Sequence, residues 1–99
     1  MDIFRNYKDE ECILTDEQKE HILARHPDAD LQLISNCLKD PIEVRKSNSN
    51  NISQLYYMTK TESRLFCVVV KICDDGNFIS TAYTTSRMKS GETVYKKVI

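Results

Sequence analysis

The chain is short of most things that tie a protein to a cofactor, a metal or a membrane. It has 99 residues with two glycines, two prolines and no tryptophan. Gly76 and Gly91 both fall in turn contexts, so no glycine-rich loop is left to cradle a phosphate and no cofactor is expected. The four cysteines, Cys12, Cys37, Cys67 and Cys73, are scattered without a Cys-x-x-Cys pair or a cluster of histidines, which excludes a zinc signature and predicts reduced, mostly buried thiols. The longest unbroken apolar stretch runs only from Leu65 to Val70, far short of the roughly 20 residues a membrane helix needs. The acidic start MDIFRNYKDEEC has no signal-peptide character. These absences predict a soluble, cytoplasmic protein that does not engage a membrane. With no repeat and no linker, residues 1–99 read as a single domain around one core.

What is present is asymmetric. The net charge of −1 conceals five basic and ten acidic side chains in residues 1–40 against nine basic and five acidic in residues 41–99. A basic half lowers the cost of bringing up a polyanion such as RNA.

Thr15 opens a helix: its hydroxyl can cap free amides, Gln18 holds the capping-box position, and Asp16 and Glu17 oppose the positive helix end. The helix should run to about His26, because Pro27 disfavours helical geometry in the residue before it. Asp28 to Asp30 offer a second cap, and Leu31, Ile34 and Leu38 form the apolar stripe of a second helix that Pro41 ends. From Ile42 onward the period becomes strand-like. IEVRK is followed by the polar loop SNSNNIS, then by QLYYMTK, RLFCVVVKIC, NFISTAYTTS and TVYKKVI, with turns at TES, DDGN and SGE. The expected fold is α+β, with two N-terminal helices packed on a four- to five-stranded antiparallel meander sheet whose other face is free.

Alternation divides RLFCVVVKIC into Phe66, Val68, Val70 and Ile72 on the expected helix-covered face and Leu65, Cys67, Val69, Lys71 and Cys73 on the other. In NFISTAYTTS, Phe78, Ser80, Ala82 and Thr84 alternate with Ile79, Thr81, Tyr83 and Thr85. Placing the smaller set under a helix leaves Thr81 and Tyr83 on the open face with Lys71, a cation and hydroxyls suited to a phosphate. The two histidines separate by helical phase. His26 falls close to the packing side of Ile22, whereas His21 lies on a flank that it shares with Arg25. A spacing of five does not put two imidazoles on one helical face, so no metal site is expected.

These blocks, in the order ILTDEQKEHILARHPD, KDPIEV, LYYMTKTESRLFCVVVKI and FISTAYTTSRMKSGE, resemble the phage-associated members of the barnase–EndoU–colicin–RelE group of small nuclease toxins. The resemblance covers most of the chain. It implies RNA lying across an open sheet face and metal-independent cleavage, in which the ribose 2′-hydroxyl attacks the adjacent phosphorus and leaves a 2′,3′-cyclic phosphate. It further implies His26, or else His21, as an imidazole that exchanges a proton with the 2′-hydroxyl or the leaving oxygen, and Lys71 and Arg25 as charge-balancing cations. Tyr83 and Thr81 would orient the phosphate or stack a base, and Arg25, Thr85 and Arg45 would make further contacts to RNA. An antitoxin or immunity protein is the implied protein partner. The family's carboxylate base has only Glu43 and Glu62 as candidates here. The alternative is a non-catalytic RNA- or protein-binding module of the same fold.

Overall fold

Thr15 and Asp30 start the two helices. In a computed structural model, which describes residues 1–98, the Thr15 hydroxyl accepts the Gln18 amide at 3.2 Å and the Asp30 carboxylate accepts the Leu33 amide at 2.8 Å. Helix α1 spans Asp16–Arg25 and α2 spans Leu31–Lys39. His26 closes α1 by donating its backbone N–H to the Ile22 carbonyl at 2.7 Å, and Pro27 then turns the chain away. Ile34, Cys37 and Leu38 form the buried stripe of α2.

The helices are not N-terminal. They follow a hairpin of β1 (Asp2–Arg5) and β2 (Glu11–Leu14), and precede β3 (Glu43–Lys46), β4 (Ser53–Thr61), β5 (Arg64–Cys73), β6 (Gly76–Thr85) and β7 (Thr93–Lys96). All seven strands belong to one sheet in the order β1-β2-β6-β5-β4-β3-β7. It is mixed, because β2 pairs parallel with β6 while the other neighbours are antiparallel. The expected antiparallel meander of four or five strands is therefore incorrect on strand number, direction and helix position.

The physical reasons lie at the two ends of the chain. Asn6 is buried within the β1–β2 turn, where its side-chain Oδ1 accepts from the amides of Lys8 and Glu10 and its side-chain Nδ2 donates to the Tyr56 hydroxyl at 3.1 Å. The acidic start is thus anchored to the sheet, and it delivers Cys12 and Leu14 fully buried to the core. At the other end, TVYKKVI does not extend the meander beside β6, whose outer side is occupied by β2 and α1. It crosses the sheet to pair with β3; its last residue, Ile99, lies outside the described residues.

That crossing closes much of the face expected to be free. On the helix side, Leu14, Ile22, Ile34, Leu38, Phe66, Val68 and Val70 form the main core. On the opposite side Leu55, Tyr57 and Cys67 form a second buried cluster, packed by Met88 from the strap of residues 86–92 that joins β6 to β7. The strap fits because Gly91 has no side chain: a Cβ there would stand 2.1 Å from the Lys46 carbonyl oxygen.

Candidate functional site

Only Asn77 and Phe78 of β6 pair with β2. Beyond them the outer side of β6 meets helix α1, whose Gln18 side-chain amide donates to the Ser80 carbonyl. That bond docks the helix along the strand, with Thr15 and Gln18 beside Phe78 at one end and His26 beside Tyr83 at the other. A groove results between α1 and β6.

Pairing between β5 and β6 shifts at Ser80, so Val70 faces Ile79 and Val69 faces Thr81. This bulge breaks the expected alternation. Ile79 goes under the helices, while Phe78 joins Thr81 and Tyr83 on the Lys71 side of the sheet. Ile72, expected under the helices, is 41% exposed.

Lys71 is exposed and lines an open cleft with Ile13, Thr15, Gln18, Phe78 and Ser80. Gln18, His21 and Arg25 are spaced i, i+3, i+7 and so lie on one side of α1. His21 and Arg25 are exposed, and His26 is half-buried. Its imidazole lies 5.9 Å from the Tyr83 ring, centroid to centroid, with the planes tilted by 40°. The predicted residues thus fall at two places along the α1–β6 junction, Lys71 in the cleft by Gln18 and His26 beside Tyr83. Lys71 pairs with Phe78 and Tyr83 with Cys67; four residues of extended β5 separate the two levels by about 13 Å.

Four predicted roles change in this geometry. The Tyr83 hydroxyl is buried and has no hydrogen-bond partner among the described residues, although the Cys67 thiol lies beside it. Burial, reinforced by that thiol, pushes the phenol well above its usual range, and burial likewise pushes Cys67 up to about 11. Tyr83 offers the groove its ring and not its hydroxyl. Arg45 is engaged in holding the strap: its guanidinium donates to Glu43 at 2.5 Å and to the Lys89 carbonyl at 2.8 Å. The Thr85 hydroxyl donates to the Arg87 carbonyl at 3.1 Å. Burial of Glu43 opposes its ionisation, but hydrogen bonds from Arg45 and Thr93 outweigh it and hold the carboxyl below its usual range. That carboxylate is committed to the strap and is not a base for the groove.

Two features were missed in the sequence. Lys89 brings its ammonium to 5.7 Å from the Tyr83 ring centroid. On the helix side, Lys60 donates to Asp28 at 2.7 Å and to the Thr84 hydroxyl at 2.9 Å, and Thr84 donates to Asp28 at 2.6 Å. This triad ties the turn after His26 to β4 and β6. Neither feature has a sequence signature, because each joins residues from separate elements.

The hydrogen bonds from Lys60 and Thr84 bring the Asp28 carboxyl down to about 2. Since this lies below the ordinary value of about 4, the stabilisation is complete above about pH 4 and is lost as the pH falls toward 2. The Asp28 side chain is about half exposed, so solvent screening reduces its worth to about 1 kcal/mol. Asp28→Asn is expected to lower stability by that amount at pH 7 in urea unfolding, with the gap from the parent closing on acidification to pH 2.

No protein-family model, curated protein or solved structure matches the chain. Among the described residues, no helix is long and apolar enough to cross a membrane.

Proposed function

We propose that the protein is a metal-independent endoribonuclease, a toxin of the phage-associated kind that its sequence blocks resemble. The observation that carries this reading is the docking of α1 along β6 through Gln18 and Ser80. It sets the helix that carries both histidines along the strand that carries Thr81 and Tyr83, with Lys71 beside Gln18 at one end and His26 beside Tyr83 at the other. In the reaction the ribose 2′-hydroxyl passes its proton to one imidazole as its oxygen attacks the adjacent phosphorus. The bond to the 5′-oxygen breaks, that oxygen takes a proton from the other imidazole, and a 2′,3′-cyclic phosphate remains. Lys71 and Arg25 offset charge on the phosphoryl oxygens along the groove. Four free cysteines, three of them buried, suit the reducing cytoplasm. A toxin working there requires an antitoxin or immunity protein.

The test is incubation of purified protein with end-labelled RNA in the presence of chelator. Products ending in 2′,3′-cyclic phosphate are expected, and their absence at every RNA tested overturns the reading. A second reading, an RNA-binding module without turnover, is favoured by the buried Tyr83 hydroxyl and the committed Glu43, which leave the groove poor in acid–base groups other than imidazole. Salt-dependent binding of RNA that stays intact would select it.

A further inference from the structure

The strap of residues 86–92 is held at Lys89 from both sides of one residue. The Lys89 backbone N–H donates to the Tyr57 hydroxyl at 2.9 Å, and Tyr57 is fully buried. The Lys89 carbonyl accepts from Arg45 at 2.8 Å; Arg45 is held by Glu43, which also accepts from the Thr93 hydroxyl at 2.9 Å. A loop that only joined β6 to β7 would be satisfied by water on its outer side. Here a buried phenol, a guanidinium and a nearly buried carboxylate are committed to fixing one backbone position, and its side chain is exposed. Fixing the origin of a flexible side chain lowers the ordering cost of using it.

The ammonium of that side chain rests against the Tyr83 ring, the ring that also receives His26. The other lysine at this end of the sheet, Lys60, gives its ammonium to Asp28 and Thr84. Lys71 stands at the far end of the groove, by Gln18. We propose that Lys89 is a phosphate-binding cation at the His26 end of the groove, in addition to Arg25, and that its ligand is a phosphate of single-stranded RNA. Lys71 then serves a different phosphate, so that a bound strand bridges two cationic ends. This rests on the reading of the groove as an RNA site, and it adds the strap to helix α1 as a source of positive charge beside His26.

The test compares the parent with Lys89→Gln, Lys89→Arg and Lys71→Gln. The probes are a fluorescein-labelled oligouridylate, read as binding against salt, and uridine 3′-monophosphate, read by NMR at the His26 ring. Lys89→Gln is expected to reduce the slope of log affinity against log salt by about 0.7, the share of one phosphate on a single strand. It should also abolish the monophosphate shift at His26, while Lys89→Arg keeps both and Lys71→Gln keeps the shift. A monophosphate shift unchanged in Lys89→Gln, or none in the parent, overturns the assignment. The two readings fail separately: RNA bound through Lys89 but left intact removes the nuclease reading alone, and cleavage with parental kcat/KM in Lys89→Gln removes the Lys89 assignment alone.

Discussion

Replacing His21 and His26 together by alanine is expected to slow RNA cleavage by about 10²- to 10⁴-fold, the usual worth of general acid–base catalysis. The loss should appear in kcat, with the salt dependence of RNA binding largely retained, because the proposed reading assigns phosphate affinity to Lys71, Arg25 and Lys89. The single variants should each approach the double one, since groups that pass one proton in and another out act as a unit. His26→Ala also removes the contact with Tyr83, so a parallel measurement of stability separates lost chemistry from lost packing. Equal cleavage by parent and double variant would remove both imidazoles from the mechanism.

Gly91→Ala is expected to be the most damaging small substitution in the chain. Its methyl group would stand 2.1 Å from the Lys46 carbonyl oxygen, a backbone atom that no rotamer change can move. The strap and β7 must shift from β3, and the bond from the Lys46 amide to the Glu92 carbonyl, 2.8 Å long, is placed at risk. Overpacking of this kind costs about 3 kcal/mol, measurable as a lower urea midpoint at an unchanged m-value. Displacing the strap would also uncover the cluster around Cys67, so that this thiol should react with a maleimide faster than in the parent. Lys46→Ala should not rescue the defect, because the obstruction is main chain.

Local chemistry made the helices readable: Thr15, Asp30, Pro27 and Pro41 act on their immediate neighbours, and their effects show in any short window of sequence. The β1–β2 hairpin was hidden because its turn uses neither Asn-Gly nor Asp-Gly. It relies on Asn6 and on Asp9 at a φ of 61°, and its strands are four residues long. The return of β7 to β3 was equally hidden, since nothing in TVYKK says which edge it will find. At the site, alternation along β5 put Lys71 opposite the helix-covered face, but the bulge at Ser80 reset the alternation of β6 between Ile79 and Thr81. Lys89 escaped notice because its place depends on Tyr57, Arg45 and Glu43, which the sequence scatters over two strands.

The parallel pairing of β2 with β6 bears on when the protein can act during its own synthesis. Cys12 meets Asn77 and Ile13 meets Phe78, so the groove requires contact between residues more than sixty positions apart. Pairings at such separation form late, after the entropy of closing the intervening chain has been met. On the ribosome α1 can emerge and begin to coil, but it has no β6 to lie against until residues 76–85 have followed. A chain stalled before that point would carry both histidines and no groove. Nascent-chain complexes arrested at increasing lengths should therefore show RNA cleavage only once β6 has cleared the exit tunnel.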